Sequence, residues 1–236
     1  VQNALPAYLC CMYIDREKYL SLQKKFSEKG VKLVAVSKTK PAEAIMELYS
    51  LGHRDFGENY VQELVDKQAQ LPKDIRWHFI GHLQTNKVKY IIPFVHLIHG
   101  VDSEKLLREI NKQAQKANRI ADVLLQVHIS SETTKFGLDQ NELREILEGE
   151  EVKMLTNIRI NGLMGMGSFT DHTETVQTEF NSLKQLFDQY TQSKSSNIDL
   201  QVLSMGMSGD YEIAVGSGST LVRIGSLIFG ERNYAK

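Results

Sequence analysis

A single (β/α)8 barrel is the fold this sequence predicts, and three observations predict it. Eight short apolar runs with strand character alternate with stretches of helical periodicity, at spacings of roughly 20 to 45 residues, as parallel βαβ units require. The 236 residues suffice for one large core, and no Pro/Gly/Ser-rich linker divides them, so one domain over residues 1–236 is expected. No Gly-x-Gly-x-x-Gly follows the first strand, which removes the main reason to prefer an open dinucleotide-binding sheet.

Taken in order, Asp15 to Lys29 reads as an added N-terminal helix, with Tyr19, Leu20, Leu22 and Phe26 at helical spacing and Gly30 as its stop. Lys32 to Val36 is the first strand and Pro41 to Leu51 the helix that follows, with Gly52 as its cap. Arg54 to Gly57 is a short second strand, then a helix spans Tyr60 to Leu71. Strand three is Arg76 to Ile80, and the helix Thr85 to Ile92 is ended by Pro93. Leu97 to Val101 is the fourth strand, and the next helix runs from Ser103 to Asn118. The fifth strand, Asp122 to Ile129, is apolar except for Gln126 and His128, as in a strand covered on both faces. Helix Gln140 to Leu147, strand Ile158 to Met164, helix Glu174 to Tyr190 and strand Leu200 to Leu203 come next. A short helix from Asp210 to Val215 and the strand Leu221 to Ile224 complete the alternation.

The bulk numbers exclude several partners. A formal charge of -1, from 28 basic and 29 acidic residues, supplies no field for nucleic acid or an acidic membrane surface. No apolar run approaches the ~20 residues that span a bilayer. The two cysteines, Cys10 and Cys11, are adjacent and would close no useful loop. A cytoplasmic monomer with a small-molecule ligand is expected, with residues 1–14 disordered or non-native.

The chemistry gathers at strand ends. Lys38 follows the first strand in Val34-Ala35-Val36-Ser37-Lys38-Thr39-Lys40-Pro41, where desolvation would favour a neutral amine able to attack a carbonyl. Solvated turn residues are the competing reading for both Lys38 and Lys40. Barrels often hold phosphate on the loops after strands seven and eight. Here those loops are Leu203-Ser204-Met205-Gly206-Met207-Ser208-Gly209 and Arg223-Ile224-Gly225-Ser226, rich in the glycine and serine that an anion requires. Closure sets strand eight beside strand one, so lysine and phosphate site would be neighbours. That suits a cofactor with an aldehyde at one end and a phosphate at the other, namely pyridoxal 5′-phosphate, with Arg223 at the pyridine nitrogen. A salt bridge on the barrel rim is the alternative for Arg223.

These motifs, with Phe56-Gly57-Glu58-Asn59-Tyr60-Val61-Gln62-Glu63, Trp77-His78-Phe79-Ile80-Gly81 and Val222 to Gly230, resemble the pyridoxal phosphate homeostasis protein family. Its members are single-domain relatives of the alanine racemase N-terminal barrel. The resemblance runs from about Val31 to the C-terminus. It implies that Lys38 and not Lys40 is the Schiff-base lysine, that Arg223 faces the pyridine nitrogen, and that Ser204 with the backbone of Gly225 and Ser226 holds the phosphate. Asn59 is implied as a further lining residue. Met166 lies against the ring or in the core. His128-Ile129-Ser130-Ser131 departs from the Asn-Thr-Ser-Gly-like run of relatives, and the segment before Asp15 matches nothing in them.

The resemblance further implies a carrier that buffers or delivers the cofactor, with apo-enzymes as recipients, and not a strong catalyst. A charged arginine leaves the ring nitrogen unprotonated, a poorer electron sink. The opposite-face group of the racemase relatives belongs to a second domain, absent after Gly230, and nothing aims Tyr234 into its place. A weak amino-acid racemase is the alternative. His78 and His82 would share a strand face, but no third ligand is evident, so no metal is expected.

Overall fold

Leu33 and Ala35 on one face and Val34 and Val36 on the other make Lys32–Val36 a strand with two apolar faces, and β1 is that strand in the computed structural model, which describes residues 13–130, 136–192 and 194–231. Before it lies α1 (Arg16–Glu28), and after it α2 (Ala42–Ser50), β2 (Asp55–Glu58), α3 (Val61–Gln70) and β3 (Arg76–Phe79). A 3-10 turn (Thr85–Lys87) leads into α4 (Val88–Ile91), followed by β4 (Leu97–Val101), α5 (Glu104–Lys116), β5 (Ala121–Gln126), α6 (Gln140–Glu148) and α7 (Glu150–Lys153). The remainder is β6 (Ile158–Met164), α8 (Thr173–Thr191), β7 (Ile198–Ser204), α9 (Tyr211–Gly216), β8 (Leu221–Ile224) and α10 (Ser226–Phe229). All strands pair in parallel in chain order, and β8 closes on β1 with Val34 opposite Arg223 and Ala35 opposite Ile224. The expected barrel is formed.

Strand alternation sorts the side chains into two cores. Val34, Leu97, Leu124, Met164 and Leu221 form a small cluster inside the barrel. Their neighbours, such as Leu33, Ala35, Ile98, Val123, Leu125, Leu163 and Val222, belong to the larger core shared with the helices. The same alternation turns buried His78, His99, Gln126, Ser204 and Arg223 inward, so the polar interruptions in apolar strands are barrel-interior positions.

Three expectations need correction. Leu20 is exposed, because burial in α1 follows Tyr19, Leu22 and Phe26 at spacings of three and four. The fifth strand stops at Gln126 because the returning chain takes over the pairing: Leu138 N donates to Gln126 O at 2.8 Å and His128 N to Leu138 O at 3.0 Å. A short helix, α10, follows β8 where the sequence shows only an apolar run. Of residues 1–14, Tyr13 and Ile14 are among the described residues, and Ile14 is buried; the others lie outside them.

No helix among the described residues is long and apolar enough to cross a membrane.

Imidazoles desolvated by the surrounding chain give the fold a pH dependence. Burial pushes His53 down to about 4, and likewise lowers His78, His96 and His99 from the ordinary 6.5. Between about pH 6.5 and about 4 the unfolded chain therefore binds protons that the native His53 refuses, and stability falls on acidification by up to about 1.4 kcal/mol per pH unit per group. Glu58, pushed up to about 7 by burial against the pull of Lys67 and Ser37, works in the opposite sense as one group against four. Thermal unfolding at pH 7.5, 6.5 and 5.5 should show Tm declining with pH. A Tm that is flat or rises on acidification would contradict this.

Candidate cofactor-binding site

The Lys38 turn is held from below by a buried ionic cluster. Ser37 continues the strand pairing, its N–H donating to Gly57 O at 3.0 Å, while its hydroxyl donates to Glu58 Oε1 at 2.7 Å. Lys67 of α3 donates to Ser37 O at 2.8 Å and to Glu58 Oε1 and Glu63 Oε1, each at 2.7 Å. Glu63 Oε1 also accepts from Thr39 N at 2.5 Å, which fixes Thr39 in the left-handed region at φ 64. That conformation is costly for a β-branched residue and persists only where neighbours impose it. Both residues flanking Lys38 are thus pinned, and Lys38 lines a cavity of about 610 Å³ at the C-terminal ends of the strands. This is the face on which barrels of this type carry their sites, and the volume suits a small cofactor.

Lys40 also lines this cavity, but it is not the solvated turn residue that the sequence suggests. Its Nζ donates to Phe229 O at 2.8 Å and to Gly230 O at 3.4 Å, so it ties the first loop to the end of α10.

Across the seam stands Arg223, whose side chain is buried without an adjoining carboxylate hydrogen bond among the described contacts. Its Nη1 donates to Ser204 O at 2.9 Å and to Ser204 Oγ at 2.6 Å, and Nη2 donates to Gly165 O at 3.1 Å. Burial lowers its pKa to about 10, partly offset by Asp210, so the guanidinium stays a cation near neutrality.

The two glycine-serine loops meet on the same cavity. Gly225, Ser226, Ser208 and Gly209 line it, and Gly225 N donates to Ser208 Oγ at 3.3 Å. Gly225 lies so close to β1 that an added Cβ would sit 3.3 Å from both Val36 Cβ and Val36 O. Ser204 does not line this wall. As the last residue of β7 it points into the barrel, fully buried, with its hydroxyl between Arg223 and His99 Nδ1 at 3.1 Å. The serine hydroxyl facing the cavity from this loop is Ser208.

Asn59, at the end of β2, lines the opposite side, and its Oδ1 is buried with no hydrogen-bond partner. Gly81 is required there, since a Cβ would lie 2.3 Å from Asn59 O. Met166 lines the cavity and also packs against the interior cluster. His82 lies beyond the end of β3, with Nδ1 3.0 Å from Asp102 Oδ2, so it does not meet His78. Instead His78 gathers with Asp55 and His96, donor atoms within 4.8 Å, at the other end of the barrel. There both Asp55 oxygens already accept from Arg76. Of the departing segment, Ser130 is buried. Ser131 and Tyr234 lie outside the described residues.

Comparison with known proteins bears on family and fold. The family model for the alanine racemase N-terminal domain matches residues 16–233. A "Pyridoxal phosphate homeostasis protein" of Aquifex aeolicus is 44% identical over 208 residues, covering 88% of this chain and 90% of the relative. The protein of the same description from Homo sapiens is 43% identical over 216 residues, covering 87% and 78%. The chain belongs to the pyridoxal phosphate homeostasis protein family. The solved structure of PipY from Synechococcus elongatus PCC7942 with PLP bound superposes with a TM-score of 0.82 at 35% identity, covering 91% of this chain and 99% of PipY. An alanine racemase of Clostridium difficile 630 shares only the fold, at 14% identity and a TM-score of 0.71, covering 92% of this chain and 57% of that one.

Sequence reasoning missed Ser208, Lys67 and Glu58. Ser208 stands in the same quoted run as Ser204, and only the strand's end distinguishes a serine pointing inward from one on the cavity wall. Lys67 sits in a helix where lysine normally faces water, so nothing local marks it.

Proposed function

We propose that this protein binds pyridoxal 5′-phosphate reversibly through a Schiff base at Lys38 and maintains the intracellular supply of the cofactor by buffering or delivering it. The observation that carries the reading is the convergence of Lys38, Arg223 and the Ser208–Gly225 pair on one cavity across the β1–β8 seam. The cofactor supplies the aldehyde that the amine takes up, and its other groups match what the cavity offers. Gly225 and Ser226, with the Ser208 hydroxyl, suit the phosphate. Arg223 suits the pyridine nitrogen. The Asn59 amide, whose Oδ1 is buried without a partner, is a polar group on the cavity wall, and its NH2 suits the phenolic oxygen of the ring. Ser204 acts through Arg223 and does not touch the phosphate.

Buffering is favoured over catalysis because Arg223, lowered by burial only to about 10, holds its proton far more tightly than a pyridine nitrogen would. An unprotonated ring stabilises a substrate carbanion poorly. The absorbance spectrum of the purified protein, loaded with the cofactor, tests the covalent claim directly. Incubation with L-alanine and L-serine, against a Lys38→Ala control, tests the rest: racemisation at the roughly 1 s⁻¹ or more of ordinary enzymes would overturn the carrier reading in favour of a racemase. Transfer to apo-enzymes and the monomeric state are parts of the same proposal, checked by reactivation assays and by light scattering.

Arg223→Ala should leave the Schiff-base band able to form while weakening the cofactor roughly tenfold, as expected for losing one charged hydrogen bond. Equilibrium dialysis measures this. Wild-type affinity in the variant would remove Arg223 from the ring nitrogen.

A further inference from the structure

A hydrogen-bonded chain of side chains crosses the barrel interior from Arg223 to Asp55. Its links are Arg223 Nη1 to Ser204 Oγ at 2.6 Å, Ser204 Oγ to His99 Nδ1 at 3.1 Å, His99 Nε2 to His78 Nδ1 at 3.0 Å, and His78 Nε2 to Asp55 Oδ1 at 3.0 Å. Ser204, His99, His78 and Arg223 are all buried. Asp55 lines a second cavity of about 550 Å³ at the N-terminal ends of the strands, together with Lys32, His78, His96 and Arg159. None of the cofactor contacts proposed above uses His99, His78 or Asp55.

The two ends of the chain decide the direction of every link. Guanidinium nitrogens only donate, and an ionised carboxylate only accepts. Burial would raise the Asp55 carboxyl, but hydrogen bonds from Arg76 and His78 outweigh it and hold the group well below the usual carboxylate range. Ser204 Oγ accepts from Arg223, and its own hydrogen then goes to His99 Nδ1. A neutral His99 with Nδ1 accepting carries its hydrogen on Nε2 and gives it to His78 Nδ1. That leaves His78 with its hydrogen on Nε2, facing Asp55. Each donor is used once and no proton is left over. In the reverse arrangement His78 Nε2 would carry no hydrogen, and two acceptors would face each other at 3.0 Å, which the Asp55 charge forbids.

We infer that Asp55, His78, His99 and Ser204 form a one-way hydrogen-bond chain that orients the Arg223 guanidinium from the opposite end of the barrel, with His99 and Ser204 as positioning residues for the cofactor ring. Nη1 spends its hydrogens on the two oxygens of Ser204, and Nη2 gives one to Gly165 O. The remaining Nη2 hydrogen and the Nε hydrogen are then presented in a fixed direction. Neutral imidazoles are what the chain needs, since an imidazolium at His99 would stand one serine away from Arg223. The groups around the pair agree with neutrality: burial comes first for both rings, and His99 is further lowered by His78, Arg223 and His96, while His78 feels Arg76 and Lys32 against Asp55.

The hydrogen positions do not depend on the proposed function, whereas the effect on the cofactor does. Long-range 1H–15N correlation spectra of the wild-type protein, with and without pyridoxal 5′-phosphate at pH 7.5, should show His78 and His99 as neutral rings protonated on Nε2 in both states. A His99 protonated on Nδ1, or doubly protonated, overturns the chain. Cofactor affinity tests its purpose: His99→Phe should raise the apparent Kd roughly tenfold, the scale of a hydrogen bond to a charged group. His99→Gln keeps a donor and an acceptor and should restore affinity to within about threefold of wild type. Should His99→Phe fail to fold, Ser204→Ala carries the same expectation. If wild-type protein takes up no cofactor, the function proposed above fails and the NMR result still judges the chain. If wild type binds and the variants bind equally well, the positioning role is overturned.

Discussion

Lys38→Ala is expected to abolish the visible Schiff-base band and to lower affinity for pyridoxal 5′-phosphate by at least roughly a hundredfold, since covalent capture is lost and only the noncovalent contacts remain. The fold should survive. Lys38 lines the cavity, and the cluster of Ser37, Glu58, Glu63 and Lys67 that shapes its turn is made by its neighbours. The apo-protein should therefore still unfold in one cooperative thermal transition. Borohydride reduction of the loaded wild type, followed by peptide mapping, should mark the peptide carrying Lys38 and leave Lys40 unmodified. Lys40→Ala should keep the band, because its ammonium is engaged with the Phe229 and Gly230 carbonyls. Modification at Lys40, or a band surviving in Lys38→Ala, would refute the assignment.

Gly162→Ala should be the more damaging change to the fold. A Cβ on Gly162 would lie 1.8 Å from Val202 O, 2.7 Å from Val202 C and 2.9 Å from Val202 N. These are backbone atoms of the adjoining strand, so no rotamer change relieves the overlap. The β6–β7 register already shifts between Ile160 and Gly162, which is where the strands approach too closely for a side chain. Prising them apart disturbs Val202 and Met164 inside the barrel and should cost about 3 kcal/mol or more. At this chain length that lowers Tm by roughly 10 °C in a thermal melt. Gly209→Ala is the control, since a Cβ there meets nothing within 4 Å, and should be close to neutral. Equal melting of the two variants would show that the close approach is relieved in solution.

Architecture was legible because most strands, such as Lys32–Val36 and Ala121–Gln126, carry apolar residues on both faces, and the intervening helices announce themselves by spacing and by glycine at their ends. Lys38, Arg223 and the two loops were legible for the same reason: a closed barrel brings the ends of its first and last strands together whatever the details. What escaped was governed by partners distant in sequence. His99 reads as an ordinary member of an apolar strand, and its partner Ser204 is 105 residues away. Ser204 and Ser208 are equivalent as letters, yet one closes a strand and the other opens to the cavity. Lys40 resembles a surface lysine until α10, unpredicted, supplies the carbonyls that hold it. Glu58 carries no local sign of its fate, because only the packing of α3 brings Lys67 beside it.

The tie from Lys40 to the end of α10 bears on how this protein is made. Its two partners are separated by 189 residues, and Asp15 N likewise donates to Ile228 O at 2.7 Å. Contacts of such separation carry a large loop-closure entropy and form late in folding. On a translating ribosome, Lys38 would emerge early and wait for β8 before its cavity had a second wall. A half-made chain lacking β8 has no Arg223, Gly225 or Ser226, so the wall they form closes only when the last strand pairs with the first.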